Sequence, residues 1–123
     1  MTLKELYAMI GGNYDQAVRV MKMDKLIDRY VRKLKNSNVG EALAEAGAAM
    51  DGQKLFEAAH AMKGVCGNLG LSDLANAADA ITEEFRPGNP RSMSDAEVAE
   101  RLAGIDAMYK KAIAGIEKYE NEG

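Results

Sequence analysis

Gln53-Lys-Leu-Phe-Glu-Ala-Ala-His60-Ala-Met-Lys-Gly-Val-Cys-Gly-Asn-Leu69 decides how this chain folds. At about 100° per residue, Leu55, Ala58, Ala59, Met62, Val65, Cys66 and Leu69 fall on one apolar stripe. The segment is therefore an amphipathic helix that lays this stripe against other helices. Asp51 or Gly52 precedes it, and Gly70 stands where a left-handed C-terminal cap belongs. His60, the single histidine of the chain, lies opposite the stripe and points away from the core.

The helical period recurs on both sides of this segment. Thr2-Leu-Lys-Glu5 has capping-box spacing and opens a short helix with Leu3, Leu6, Tyr7 and Ile10 apolar. Gly11-Gly12 closes it, and Asn13 caps a second short segment carrying Ala17, Val18 and Met21. From Asp24 the apolar positions are Leu26, Ile27, Tyr30, Val31 and Leu34. Asn36-Ser-Asn-Val-Gly40 weakens that helix, which either kinks there or breaks before Glu41–Met50. After Gly70, Ser72 caps a helix with Leu74, Ala77, Ala78, Ile81 and Phe85 apolar. Pro87-Gly-Asn-Pro90 breaks it. Ser94-Asp-Ala-Glu97, a second capping box, opens a last long helix carrying Val98, Leu102, Ile105, Tyr109, Ala112, Ile113 and Ile116. No segment alternates with period two. The expected fold is all-α: an antiparallel four-helix bundle with additional short N-terminal helices. Residues 1–123 form one domain, with 1–22 an N-terminal helical extension, 23–119 the bundle and 120–123 a frayed polar tail.

Composition narrows the function classes. A chain of 123 residues holds one core and no second domain. A net charge of −3 gives no general attraction for nucleic acid. Lys22, Lys25, Arg29, Arg32 and Lys33 do share a helical sector of about 100°. This basic patch is a solvated face or a dock for an acidic partner, and no aromatic residues interleave it as nucleic-acid binding favours. The lone Cys66 cannot form an intramolecular disulfide, which suits a reducing compartment. Met1–Ile10 is too polar for a signal peptide, and no apolar run nears a membrane span. The expectation is a free-standing cytoplasmic monomer. One His and one Cys make no metal ligand set, and no cofactor is implied. No Gly-rich loop precedes a Lys-Ser or Lys-Thr pair, so no nucleotide site is expected. A His-dependent hydrolase needs a nucleophile beside His60, and Glu57 is the one acid nearby with no Ser or Cys on that face.

The outward face of the histidine helix is unusual. Gly64 and Gly67 lie within about 40° of His60, Glu57 about 60° round and Ala61 beyond it. Phe56 and Lys63 flank His60 on the other side, one turn either way. Each mid-helix glycine costs about 1 kcal/mol relative to alanine. What they provide is room for another protein's backbone, on the C-terminal side of His60, because Phe56 and Glu57 fill the turn before it.

Ala59-His-Ala-Met-Lys-Gly-Val-Cys-Gly-Asn-Leu-Gly-Leu71 resembles the signature of histidine-containing phosphotransfer (HPt) domains. Ala59, His60, Met62, Lys63, Gly64, Gly67, Leu69 and Gly70 match its spaced pattern. The resemblance implies a phosphorelay intermediate in which His60 accepts a phosphoryl group from a receiver-domain aspartyl phosphate, or a hybrid kinase, and passes it to another receiver. It implies phosphate-supporting roles for Lys63 and Gly64, and a docking surface of Phe56, Glu57, Ala61, Gly67 and Asn68. Gly67 either clears that surface or allows close helix packing. The partners are response-regulator receiver domains and a sensor or hybrid histidine kinase, with the receiver supplying the metal ion. The chain is then a carrier and not an enzyme. The competing expectation is a docking module that binds receivers without carrying phosphate. Thr82 departs from the pattern, since many members have Glu or Gln near that place on the next helix.

Overall fold

The computed structural model describes residues 1–122. Among them run seven helices: α1 (Leu3–Ile10), α2 (Tyr14–Met21), α3 (Asp24–Lys35), α4 (Val39–Ala49), α5 (Gly52–Asn68), α6 (Ser72–Glu84) and α7 (Asp95–Glu122). Helices α4, α5, α6 and α7 close a ring in which each packs on its two neighbours, and α3 extends α4's position along α7. Short connections make the ring antiparallel. The fold is thus an all-α four-helix bundle with short helices added at its N-terminus. Its core joins Ile27, Val31 and Leu34 of α3 to Leu55, Ala59, Met62 and Cys66 of α5, Ala78 and Ile81 of α6, and Val98, Ile105, Ala112 and Ile116 of α7.

Local chemistry sets the boundaries. The Thr2 capping box forms both of its bonds, and Asn13 caps α2 through the Gln16 N–H. Asp51 caps α5 by accepting the Lys54 N–H at 3.1 Å. Gly70 takes φ +70°, and Leu71 N–H reaches back to the Cys66 carbonyl at 2.9 Å, the six-to-one bond of a Schellman stop. The weak stretch after Lys35 is a true break, where Ser37 Oγ donates to the Leu34 carbonyl at 2.8 Å and α4 restarts at Val39.

Four expectations are corrected. Ser72 is the first helical residue of α6 and makes no cap; Leu71 holds the cap position. Lys22 belongs to no face of α3, being the left-handed C-cap of α2 at φ +74°. The basic patch also includes one aromatic, since Lys33 lies over the Tyr30 ring at 5.7 Å. The tail is not frayed over its described part: α7 runs to Glu122, and Glu120 receives Lys35 Nζ at 2.6 Å and Arg32 Nη1 at 3.3 Å. Beside them Tyr119 donates to Asp28 at 2.6 Å, and burial pushes its phenol up to about 12. Gly123 lies outside the described residues.

Two devices fix the ends of the site helix and its partner. Tyr7, buried, donates its hydroxyl to the Leu69 carbonyl at 2.6 Å, and Asn13 N–H reaches the Gly70 carbonyl at 2.8 Å. The N-terminal helices thereby close over the C-terminal end of α5. At the opposite end Glu84 is 2% exposed in its side chain. It accepts from Met93 N–H at 2.9 Å, Arg91 Nε at 2.8 Å, and Ser92 N–H and Oγ at 3.0 and 2.8 Å. The Met93 N–H and the Arg91 guanidinium draw its carboxyl down to about 2. One carboxylate thus stitches the Pro87–Ser94 loop onto α6.

Candidate functional site

His60 is exposed on α5, and behind it Leu55, Ala59, Met62 and Cys66 are buried. Its ring stacks on Phe56 with centroids 5.8 Å apart and planes 15° from parallel. The Arg86 guanidinium covers the same Phe56 ring at 5.3 Å and is held by Glu83 at 2.6 Å. Phe56 is therefore not a bare apolar surface. It is half-buried, with an imidazole stacked on its ring and a guanidinium over it.

Lys63 points across to α6, where its Nζ meets Asp79 Oδ1 at 2.8 Å. The two glycines separate in role. A Cβ built at Gly64 meets nothing within 4 Å, whereas one at Gly67 meets the Ala75 Cβ at 4.0 Å. Gly64 thus opens onto solvent, and Gly67 lies toward the α5/α6 seam. Glu57, Ala61 and Asn68 are exposed, with Glu57 accepting from Gln53 Nε2 at 3.1 Å. Thr82 stands apart from this group, fully buried, its hydroxyl donating to the Ala78 carbonyl at 2.8 Å. Cys66 is buried too, and burial pushes its thiol up to about 12, so it packs as a small hydrophobe.

Val65 departs from the wheel. It is 40% exposed and, with Asn68 and Leu69, forms one wall of an apolar groove lined also by Val20, Met21, Leu26 and Tyr30. The groove begins one residue beyond Gly64. No group of three or more His, Cys, Asp or Glu side chains is placed to hold a metal ion among the described residues. No helix of the described residues is long and apolar enough to cross a membrane.

An exposed histidine backed by the core, beside an open glycine and a lysine one turn on, agrees with what comparison of the sequence finds. Residues 25–115 match the family model of the Hpt domain. The chain belongs to the Hpt family. That family works by histidine phosphotransfer in phosphorelays, where Hpt domains engage receiver domains and kinases. No curated protein and no solved structure matches the chain. The matched span holds the whole ring of four helices up to Gly115 and every residue around His60 except those that α2 lends to the groove.

Three features around His60 escaped the sequence: Asp79 against Lys63, Arg86 over Phe56, and the groove at Val65. The first two were signalled faintly. Asp79 and Glu83 recur at the spacing of one α6 face, with Arg86 just past its end, but only the register of α6 against α5 sets what they touch.

Proposed function

We propose that this chain is a phosphorelay intermediate: His60 takes a phosphoryl group from a receiver-domain aspartyl phosphate, or from a hybrid kinase, and hands it to another receiver. The carrying observation is the open space at Gly64 beside an exposed His60. A receiver's active-site loops need such space to bring the acyl phosphate to the ring. In the forward step a lone pair of the neutral imidazole attacks phosphorus. The P–O bond to the aspartate breaks with its electron pair left on the carboxylate, and the ring's N–H proton passes to water as pH dictates. Neutral imidazole suits this step near neutral pH. Phe56 limits the ring's rotation, so less orientational entropy is lost on docking.

Lys63 and Gly64 are the phosphate-supporting pair, one by charge and one by absence of a side chain. The docking surface comprises Glu57, Ala61 and Asn68 with the Val65 groove. Phe56 acts by holding the ring and Gly67 by its place near α6. Lys25, Arg29 and Lys33, exposed along α3 beside the groove, favour an acidic receiver surface. The chain works as a cytoplasmic monomer and a carrier with neither nucleotide site nor cofactor, so turnover belongs to its partners.

The test is incubation with a phosphorylated receiver domain. Acid-labile label is expected on the wild type and absent from His60→Gln. Receiver binding without label on the wild type would refute the carrier function and leave a docking module that carries no phosphate.

A further inference from the structure

Helices α5 and α6 run antiparallel, and their facing positions step in register: Gly67 with Ala75 and Lys63 with Asp79, followed by Phe56 with Arg86 two residues past the end of α6. His60 lies between the last two rungs. Lys63, one turn on from His60, already has a carboxylate from α6, Asp79 at 2.8 Å, and Arg86, over the Phe56 ring, has Glu83 at 2.6 Å. A lysine meant solely to bind the phosphoryl group needs no such partner.

We infer that Asp79 is a positioning residue which holds Lys63 on the α6 side and competes with the phosphoryl group for it, so that phosphohistidine at residue 60 is kept easy to discharge. The inference rests on the carrier function proposed above. A phosphoryl group on His60 brings close to two negative charges within reach of a single ammonium. With Asp79 absent, Lys63 turns wholly to that dianion and stabilises it. With Asp79 present, the ammonium is divided between two anions. A carrier must release what it accepts, and a divided counter-ion keeps the two directions nearer balance. The Lys63 and Asp79 side chains are 42% and 43% exposed. Water screens the pair, and breaking it leaves no buried charge unpaired. Asp79 variants therefore fold.

The experiment uses the full chain and phosphoramidate, a small donor that requires no docking. The imidazole nitrogen takes the phosphorus, the donor's P–N bond breaks, and ammonia leaves with the imidazole proton. Wild type, Asp79→Asn, Asp79→Glu, Lys63→Met and the Lys63→Met/Asp79→Asn double variant are labelled. Phosphohistidine half-life and the phosphorus-31 titration of the phosphoryl group are then followed.

For Asp79→Asn the half-life is expected to lengthen by roughly three- to tenfold, the effect of one unit charge at a partly solvated site. The phosphoryl group should titrate at lower pH. Asp79→Glu should behave as wild type. In the Lys63→Met background the Asp79 effect should largely vanish, because it acts through Lys63. Equal half-lives and titrations for wild type and Asp79→Asn would overturn the inference, as would an Asp79 effect undiminished without Lys63. Absence of label at His60 of the wild type from phosphoramidate and from a phosphorylated receiver alike would overturn it together with the carrier function. Label from phosphoramidate but none from any phosphorylated receiver would sink the carrier function alone, leaving the Asp79 effect to be judged on the same data.

Discussion

Replacing Gly64 with alanine should move stability and transfer in opposite directions. The added Cβ meets no atom within 4 Å, so the folded chain has no steric reason to resist it. Position 64 lies inside α5, four residues before its end at Asn68, where glycine costs about 1 kcal/mol relative to alanine. Gly64→Ala should therefore stabilise by about 0.5–1 kcal/mol, raising the melting midpoint by roughly 2–5 °C for a chain of this size. The same methyl group occupies the space through which a receiver's loops reach His60. Overpacking of one methyl at a close interface costs about 1–3 kcal/mol, so transfer from a phosphorylated receiver should slow by roughly five- to a hundredfold. Gly64→Leu should slow it further. Calorimetry or denaturant unfolding reads the first effect, and rapid-quench transfer the second. A stabilised Gly64→Ala with an unchanged transfer rate would refute the claim that Gly64 is kept for partner access. A destabilised variant would refute the claim that the position is open in the free chain.

Two further substitutions test the supports of the site. Glu84→Gln should flatten the acid limb of the stability curve. The carboxyl of Glu84 lies near 2 in the folded chain against an ordinary 4.5, so its stabilisation is complete above about 4.5 and is lost as pH falls toward about 2. Unfolding midpoints measured from pH 6 to pH 2 check this, and equal slopes for variant and wild type would count against it. Tyr7→Phe removes the buried donor to the Leu69 carbonyl and should destabilise by about 1–3 kcal/mol. Urea titration reads the loss, and hydrogen exchange should quicken first at the C-terminal turn of α5.

Much of the bundle was legible because its signals are local. The apolar stripe of α5, the caps at Thr2, Asn13 and Asp51, and the left-handed stop at Gly70 each depend on residues within a turn of one another. The break at residues 36–38 stayed open because a kink and a break begin with the same weak helix formers. Val65 was misplaced because a wheel gives an angle and not a neighbour; the turn where α2 and α3 pass α5 leaves a groove. The tail was misjudged for a similar reason: Glu120 is polar, yet Arg32 and Lys35 meet it from α3, 85–88 residues earlier. At the site, His60, Lys63 and Gly64 stood out by spacing along one helix. The partners of Lys63 and Phe56 come from α6 and the residues just past its end, so they emerge only from how two helices mesh.

The closure of α1 and α2 over the end of α5 bears on what counts as the indivisible unit here. The family match begins at residue 25, after both of these helices. Yet Tyr7 caps the Leu69 carbonyl, Asn13 holds Gly70, and Leu6 and Ala17 are buried. A fragment trimmed to the shared span would strip the roof from Leu69 and Leu71, and the helix bearing His60 would lose its anchor. The border that relatives share and the border within which this chain cooperates are different lines, and about twenty residues lie between them.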